Sequence, residues 1–187
     1  MPAGDRYSKG RTFIMTSSRR QIVTGGLMGA LTGFLVYRVF PYFRVYDVQM
    51  GDKAPNFNLT ADSGTGMSLE DYRGKYVLLN FWATWCPPCI QELPSLNNIH
   101  ERFRDKGLVV VGISVDEDKE AYQKFLQQRG VTFPTARDPE QTVNLRYGTS
   151  KFPETYLIDR EGYVRRKYTG PEDWERPEIV NYLSSLL

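Results

Sequence analysis

Two runs constrain the fold of this chain more than anything else in it. Lys75 to Ala83, KYVLLNFWA, and Leu108 to Val115, LVVVGISV, are each almost continuously apolar or aromatic. A strand with one wet face would alternate with polar residues, so both runs call for strands buried on both faces. Between them, Pro87 to about Asp105 reads as a helix: Ile90, Leu93, Leu96, Asn97 and Ile99 roughly follow helical spacing, Gly107 supplies a stop and Pro94 a kink. Further on come a helix from about Lys119 to Arg129, a short extended piece at Thr132 to Ala136 and a helix from about Glu140 to Tyr147. Strands at Glu154 to Asp159 and Tyr163 to Tyr168 follow, joined by a turn at Arg160-Glu161-Gly162, and an amphipathic helix from about Pro177 to Leu187 ends the chain. Ser68 to Tyr72 reads as a brief turn of helix. Buried strands alternating with helices specify an α/β sheet covered on both faces, with a terminal hairpin. The sequence contains no internal repeat and no low-complexity tract.

At 187 residues the chain has room for one ordinary domain and an appendage. The appendage is the first forty residues. Ile22 to Tyr37, IVTGGLMGALTGFLVY, carries no charge, and the apolar character resumes beyond Arg38. This is the short end of the ~17 to 25 residues that a spanning helix needs. Residues 1–20 then form a basic cytoplasmic segment, 21–40 a transmembrane signal-anchor and 41–50 a linker. Arg6, Lys9, Arg11, Arg19 and Arg20 precede the span against Asp5 alone, and only Arg38 and Arg44 closely follow it, which places the remainder on the extracytoplasmic side of a bacterial-type cytoplasmic membrane. A cleaved signal peptide is the alternative, but bulky residues stand where a small-x-small cleavage site belongs. Ser18 to Val23 also fits a twin-arginine export signal, although paired arginines before an anchor satisfy the charge rule equally well. Gly25, Gly29 and Gly33 share one helical face, either for helix packing or as filler facing lipid. With 24 Lys plus Arg against 22 Asp plus Glu, the net charge of +2 offers no footprint for nucleic acid.

The chain has two cysteines, Cys86 and Cys89, within FWATWCPPCIQELP. A bridge closing so short a loop removes little entropy from the unfolded chain, which argues against a purely structural staple. With Cys86 at a strand-to-helix junction, Cys89 falls one turn later on the same face, so the two sulfurs can bond and part without refolding. Cys86, at the positive end of the helix, is the candidate nucleophile. Cys89, deeper in the helix, is the resolving thiol. Pro87 and Pro88 fix two φ angles and remove two amide donors. No charge lies between the cysteines to stabilise the thiolate further, which points to a reductant. Glu92 lies three residues after Cys89 on the same face. Partial burial would raise its pKa toward working pH and make it the acid/base for the second thiol; the alternative is a solvated glutamate favoured by the helix dipole.

These residues resemble the thioredoxin superfamily, and more closely the membrane-anchored thiol-disulfide oxidoreductases of the TlpA, ResA and CcmG type. The carriers are Gly51-Asp52-Lys53-Ala54-Pro55, the strand-loop FWATWCPPC, Glu92, Pro94, and Phe152-Pro153-Glu154-Thr155-Tyr156-Leu157-Ile158-Asp159. The resemblance covers residues 51–187 and implies a thioredoxin-like α/β fold, a central mixed sheet flanked by helices. It implies a cis Phe152-Pro153 bond packed against the cysteines, leaving a backbone edge on which a client aligns. It maps the family's buried glutamate onto Glu92, and it gives Glu154 a place near the site, tuning it or touching the client. Asn80 stands where ordinary thioredoxins carry a buried aspartate; asparagine cannot titrate, so the proton role passes to Glu92. Of the two tryptophans, Trp82 is assigned to packing and Trp85 to an exposed contact surface. Catalysis thus falls to Cys86, Cys89 and Glu92, and client binding to Trp85, Pro87, Pro88, Phe152, Pro153 and Glu154. No cofactor or metal is expected. The partners implied are client proteins with disulfides, apocytochrome c among them, and a membrane thiol reductase as electron donor.

Four other functions compete. Thiol peroxidases share the fold but place threonine three and proline seven residues before the reactive cysteine, where this chain has Ala83 and Leu79. A copper-carrying protein would use the two thiols with a third ligand. The sole histidine, His100, is about three turns beyond Cys89, too far to supply one, and reads as a surface or helix-packing residue. Covalent haem attachment needs histidine where Ile90 stands. A tethered adaptor with incidental thiols is the last alternative.

Overall fold

The computed structural model describes residues 32–34, 37–38 and 47–187. The chain divides into two units, Met1–Arg44 and Val45–Leu187. In the first, the described residues are helical and exposed. The proposed signal-anchor otherwise lies outside the described residues, as does the basic segment before it. Among the described residues no helix is long and apolar enough to cross a membrane.

The second unit is built on a five-stranded sheet. The two apolar runs form β3 (Tyr76–Trp82) and β4 (Leu108–Ser114). They pair in parallel from Tyr76 opposite Leu108 to Trp82 opposite Ser114. β5 (Thr135–Arg137) adds in parallel beside β4. On the other side β6 (Glu154–Ile158) pairs antiparallel with β3, and β7 (Val164–Thr169) antiparallel with β6. The order β5-β4-β3-β6-β7 is therefore a mixed sheet with β3 at its centre. The terminal hairpin turns at Gly162, whose φ of 87° favours glycine, and Asp159 Oδ1 accepts from the N–H groups of Glu161 and Tyr163.

Successive side chains of a strand point to opposite faces, and both faces here are packed. Leu78 and Trp82 join Val110 and Leu157 beneath α1 (Pro87–Phe103) and α4 (Pro177–Leu186). Leu79 and Phe81 join Val111, Ile113 and Tyr156 in the opposite layer, closed by Phe57 and by Val143 and Tyr147 of α3 (Thr142–Tyr147). The remaining helix, α2 (Lys119–Arg129), starts at Asp118, whose Oδ1 accepts from the N–H groups of Glu120 and Ala121. Helix α1 keeps Pro94 inside it and passes through a 3-10 turn at Arg104–Lys106 to Gly107, with φ 97°.

Three expectations shift. The extended piece placed at 132–136 forms a strand only from Thr135 to Arg137, because Gly112 of β4 and its successors are the first residues it meets. Helix α3 begins two residues later than expected, where Asp138 accepts from Val143 N–H and from the Thr142 hydroxyl. A two-stranded hairpin, β1 (Asn58–Thr60) with β2 (Gly66–Ser68), precedes the 3-10 turn at Leu69–Tyr72; three-residue strands are too short to show a period.

Candidate active site

The site lies where β3 ends and α1 begins. Cys86 is the N-cap of α1, its sulfur accepting from the N–H of Cys89 at 3.3 Å. Cys86 and Cys89 are joined as a disulfide with their Cα atoms 5.3 Å apart. Both are buried, Cys89 the more completely. Pro87 and Pro88 occupy the first turn, where a missing N–H leaves no helical bond unmade. The cysteine N–H is therefore the first helical donor that reaches the N-cap sulfur.

The loop that carries Trp85 is pinned from β4. Asp116 is buried, and its Oδ2 accepts from Thr84 N–H at 2.9 Å while Oδ1 accepts from the Thr84 hydroxyl at 2.5 Å. The Ser114 hydroxyl donates to the same carboxylate. Sequence reasoning missed Asp116; the available signal was a carboxylate at the carboxyl end of a buried strand adjacent to β3, the end where sites form in such sheets.

Glu92 points inward from α1 and is 3% exposed, so it is not a solvated first-turn residue. Oε1 accepts from Asn80 Nδ2 at 2.8 Å and Oε2 from the Glu172 N–H at 3.1 Å. Asn80 Nδ2 also donates to the Thr155 hydroxyl at 2.9 Å. Burial raises the Glu92 pKa from 4.5 to about 7; the Glu172 N–H and the Asn80 amide pull it down, and the Trp174 indole N–H adds a weaker pull without reaching hydrogen-bond geometry. A groove of about 340 Å³, lined by Glu92, Pro94, Ser95, Pro171 and Glu172 among others, runs beside this carboxyl group. The loop that forms its far wall is anchored by Trp174, whose side chain is fully buried and whose backbone N–H donates to Ser95 Oγ. Glu172 and Trp174 carried no motif in the sequence.

Around the disulfide, Trp85 is 64% exposed and meets Phe152 edge-on at 6.2 Å between ring centroids. Pro87 is exposed, Pro88 and Phe152 are half-buried and Pro153 is buried. The Phe152-Pro153 bond is cis, as the resemblance implied. Pairing of β6 with β3 starts only at Glu154, and the Phe152 backbone makes no hydrogen bond among the described residues. Cysteine pair, Trp85 and the Phe152 edge thus meet on one surface. Glu154 departs from the rest of the contact set: its carboxylate is buried and accepts from Thr149, Tyr156 and Thr169. Trp82 is fully buried, as its packing assignment requires. His100 packs inside as well, its Nδ1 accepting from Val110 N–H.

A dithiol at a helix N-terminus, one sulfur deeper than the other and a carboxyl group tuned near neutrality on the same helix can exchange a disulfide with a partner. The comparisons agree. Residues 50–167 match the model of the AhpC/TSA family. The thiol-disulfide oxidoreductase ResA of Bacillus thuringiensis (strain Al Hakam) is 36% identical over 167 residues, spanning 89% of this chain and 94% of the relative. ResA of Bacillus subtilis (strain 168) is 35% identical over 158 residues, spanning 83% and 88%. Among solved structures, one assigned to a thiol:disulfide interchange protein DsbE from Chlorobium tepidum superposes with a TM-score of 0.70 at 33% identity, covering 75% of this chain and 99% of the other. The chain belongs to the AhpC/TSA thioredoxin-like family, and within it to the thiol-disulfide oxidoreductases.

Proposed function

We propose that this oxidoreductase is a membrane-tethered reductant of client-protein disulfides on the extracytoplasmic side. The observation that carries the redox part is the Cys86–Cys89 pair at the tip of α1 with Glu92 buried one turn further along. In the reduced enzyme, the Cys86 thiolate attacks one sulfur of a client disulfide, forming a mixed disulfide and releasing the other client sulfur as a thiolate. Glu92 accepts the proton of Cys89, whose thiolate then attacks Cys86 Sγ. The enzyme disulfide forms, the second client thiolate leaves, and two electrons have passed to the client. A thiol donor must restore the dithiol. The uncharged Pro-Pro linker supports the reducing direction, since it provides no charge to stabilise a strongly acidic thiolate. The tether and its orientation rest on residues 1–40 and their charge asymmetry. Resemblance adds apocytochrome c as the client and a membrane thiol reductase as the donor.

The peroxidase alternative finds no support at its diagnostic positions. Leu79 is buried in β3, and Thr84, the threonine nearest Cys86 along the chain, has its hydroxyl committed to Asp116.

Cys89→Ser in the full chain tests the mechanism. Mixed disulfides through Cys86 are expected to accumulate with client proteins and to dissolve on reduction. Their absence when Cys86 remains reactive to a thiol reagent overturns the mechanism. The reduction potential tests direction: a reductant belongs nearer thioredoxin, at about −270 mV, than the oxidant DsbA, at about −120 mV. A carboxyl-terminal topology reporter that reads cytoplasmic would reject the extracytoplasmic assignment.

A further inference from the structure

Glu154 follows the cis proline but faces away from the cysteines. Its neighbour Thr155 bonds Asn80 on the cysteine side, whereas Glu154 and Tyr156 meet on the other face of the sheet. Glu154 Oε2 accepts from the Thr149 hydroxyl at 2.5 Å, which closes the loop from 149 to 154 around Phe152 and Pro153. Thr149 is itself fixed, its N–H donating to Asn144 O and its own C=O accepting from Asn144 Nδ2. On Oε1, Glu154 meets the Thr169 hydroxyl and, at 3.4 Å, the Lys167 ammonium. Lys167 reaches onward to Asp47 Oδ1 at 3.0 Å, at the very start of the described domain. The next residue, Val48, is buried and donates its N–H to Tyr147 O, immediately before the same loop.

We propose that Glu154 is a positioning residue: through Thr149 it clamps the loop that presents the Phe152-Pro153 edge to clients, and through Lys167 and Asp47 it ties that clamp to the point where the domain begins. The proposal rests on the reading that clients align on this edge. A buried carboxylate needs a paired charge, and Lys167 supplies it. Burial works against the Lys167 ammonium, but Asp47, Tyr156 and the Glu154 charge outweigh it and raise its pKa. Its position 5.2 Å from the Tyr156 ring centroid helps hold it there.

Thr149→Val keeps the shape and removes the hydroxyl donor; Thr149→Ser restores it. Both would be made in the full chain. Amide hydrogen exchange over residues 149–155 is expected to quicken in Thr149→Val and return toward wild type in Thr149→Ser, with exchange in α1 unchanged. In the same variants, KM for a peptide carrying one disulfide should rise severalfold in Thr149→Val with kcat unchanged. Unchanged exchange in Thr149→Val, or faster exchange that serine fails to restore, overturns the clamp. A restored exchange pattern with an unmoved KM leaves the clamp standing and removes the alignment reading instead. Asp47→Asn, at an exposed residue, is expected to give a smaller rise in the same exchange; no rise at all overturns the link to the start of the domain.

Discussion

Asn80 donates to Glu92 at 2.8 Å, joining the amide at the centre of the sheet to the buried carboxyl group of the adjoining helix. Two opposed effects meet in that bond. Burial favours the protonated acid, whereas a donor that cannot itself accept a charge favours the carboxylate. The result is a pKa of about 7, where one group can take a proton from a thiol and return it within a catalytic cycle.

Glu92→Gln removes that titration. In wild type, resolution of the mixed disulfide by Cys89 should accelerate as pH rises through about 7, as the carboxylate base appears. In Glu92→Gln this inflection should vanish and the rate at neutral pH fall by about 10²-fold or more. The same substitution should alter stability with the opposite sign. Because the folded pKa lies above the unfolded one, the folded state holds its proton more tightly. The stabilising contribution is full below 4.5 and lost as pH rises through about 7. The shift corresponds to about 3 kcal/mol, so Glu92→Gln should be the more stable protein at pH 8 and show no such loss. Denaturation at pH 5 and pH 8 measures it; parallel pH dependence of the two proteins contradicts the assignment.

Asn80→Asp places a second carboxyl group at hydrogen-bond distance from Glu92. Two such groups share one proton, and the pair titrates as a unit. The upper apparent pKa should exceed that of wild type by about a unit or more. The pH midpoint for resolution therefore moves upward, and stability falls more steeply above neutral pH. An unmoved midpoint would mean that the Asn80 amide does not set the charge state of Glu92.

The architecture was legible wherever burial left a run or a period. Lys75 to Ala83 and Leu108 to Val115 contain β3 and β4, and α1 was bounded by its prolines and Gly107. Cys86, Cys89 and Glu92 were legible for a related reason: their relation is local, within one helix. What the sequence hid was built by tertiary contact. Glu172 meets Glu92 from 80 residues away, and Asp116 holds Thr84 from 32 away. Neither distance leaves a local pattern. Glu154 shows the complementary limit: resemblance located it beside the site, but only β-strand alternation reveals that its side chain turns to the other face.

Trp85→Ala tests the exposed client surface. The side chain touches Phe152 and otherwise faces solvent, so its removal should change folding stability by no more than about 0.5 kcal/mol. A flat exposed aromatic is the residue type that carries binding energy. KM for a disulfide peptide should rise while the reaction of Cys86 with a small thiol reagent stays as it was. An unchanged KM, or a KM that rises only together with altered reactivity of Cys86, removes Trp85 from the contact surface.

Trp174→Ala should couple stability to proton transfer. Trp174 is fully buried and packs edge-on against Tyr168 at 5.0 Å, so its truncation leaves a large cavity at a cost of about 3–5 kcal/mol. Its backbone N–H, which the substitution keeps, ties the loop to Ser95 two residues from where Glu172 donates to Glu92, so the loop is loosened through the lost packing alone. Releasing the loop weakens a donor that favours the carboxylate, and the Glu92 pKa should climb further. Trp174→Phe, which refills most of the volume, should recover most of the stability. If the loop positions Glu172, the phenylalanine variant should also return the pH midpoint of resolution toward wild type. Recovery of stability with the midpoint still displaced would assign the effect to the indole N–H itself.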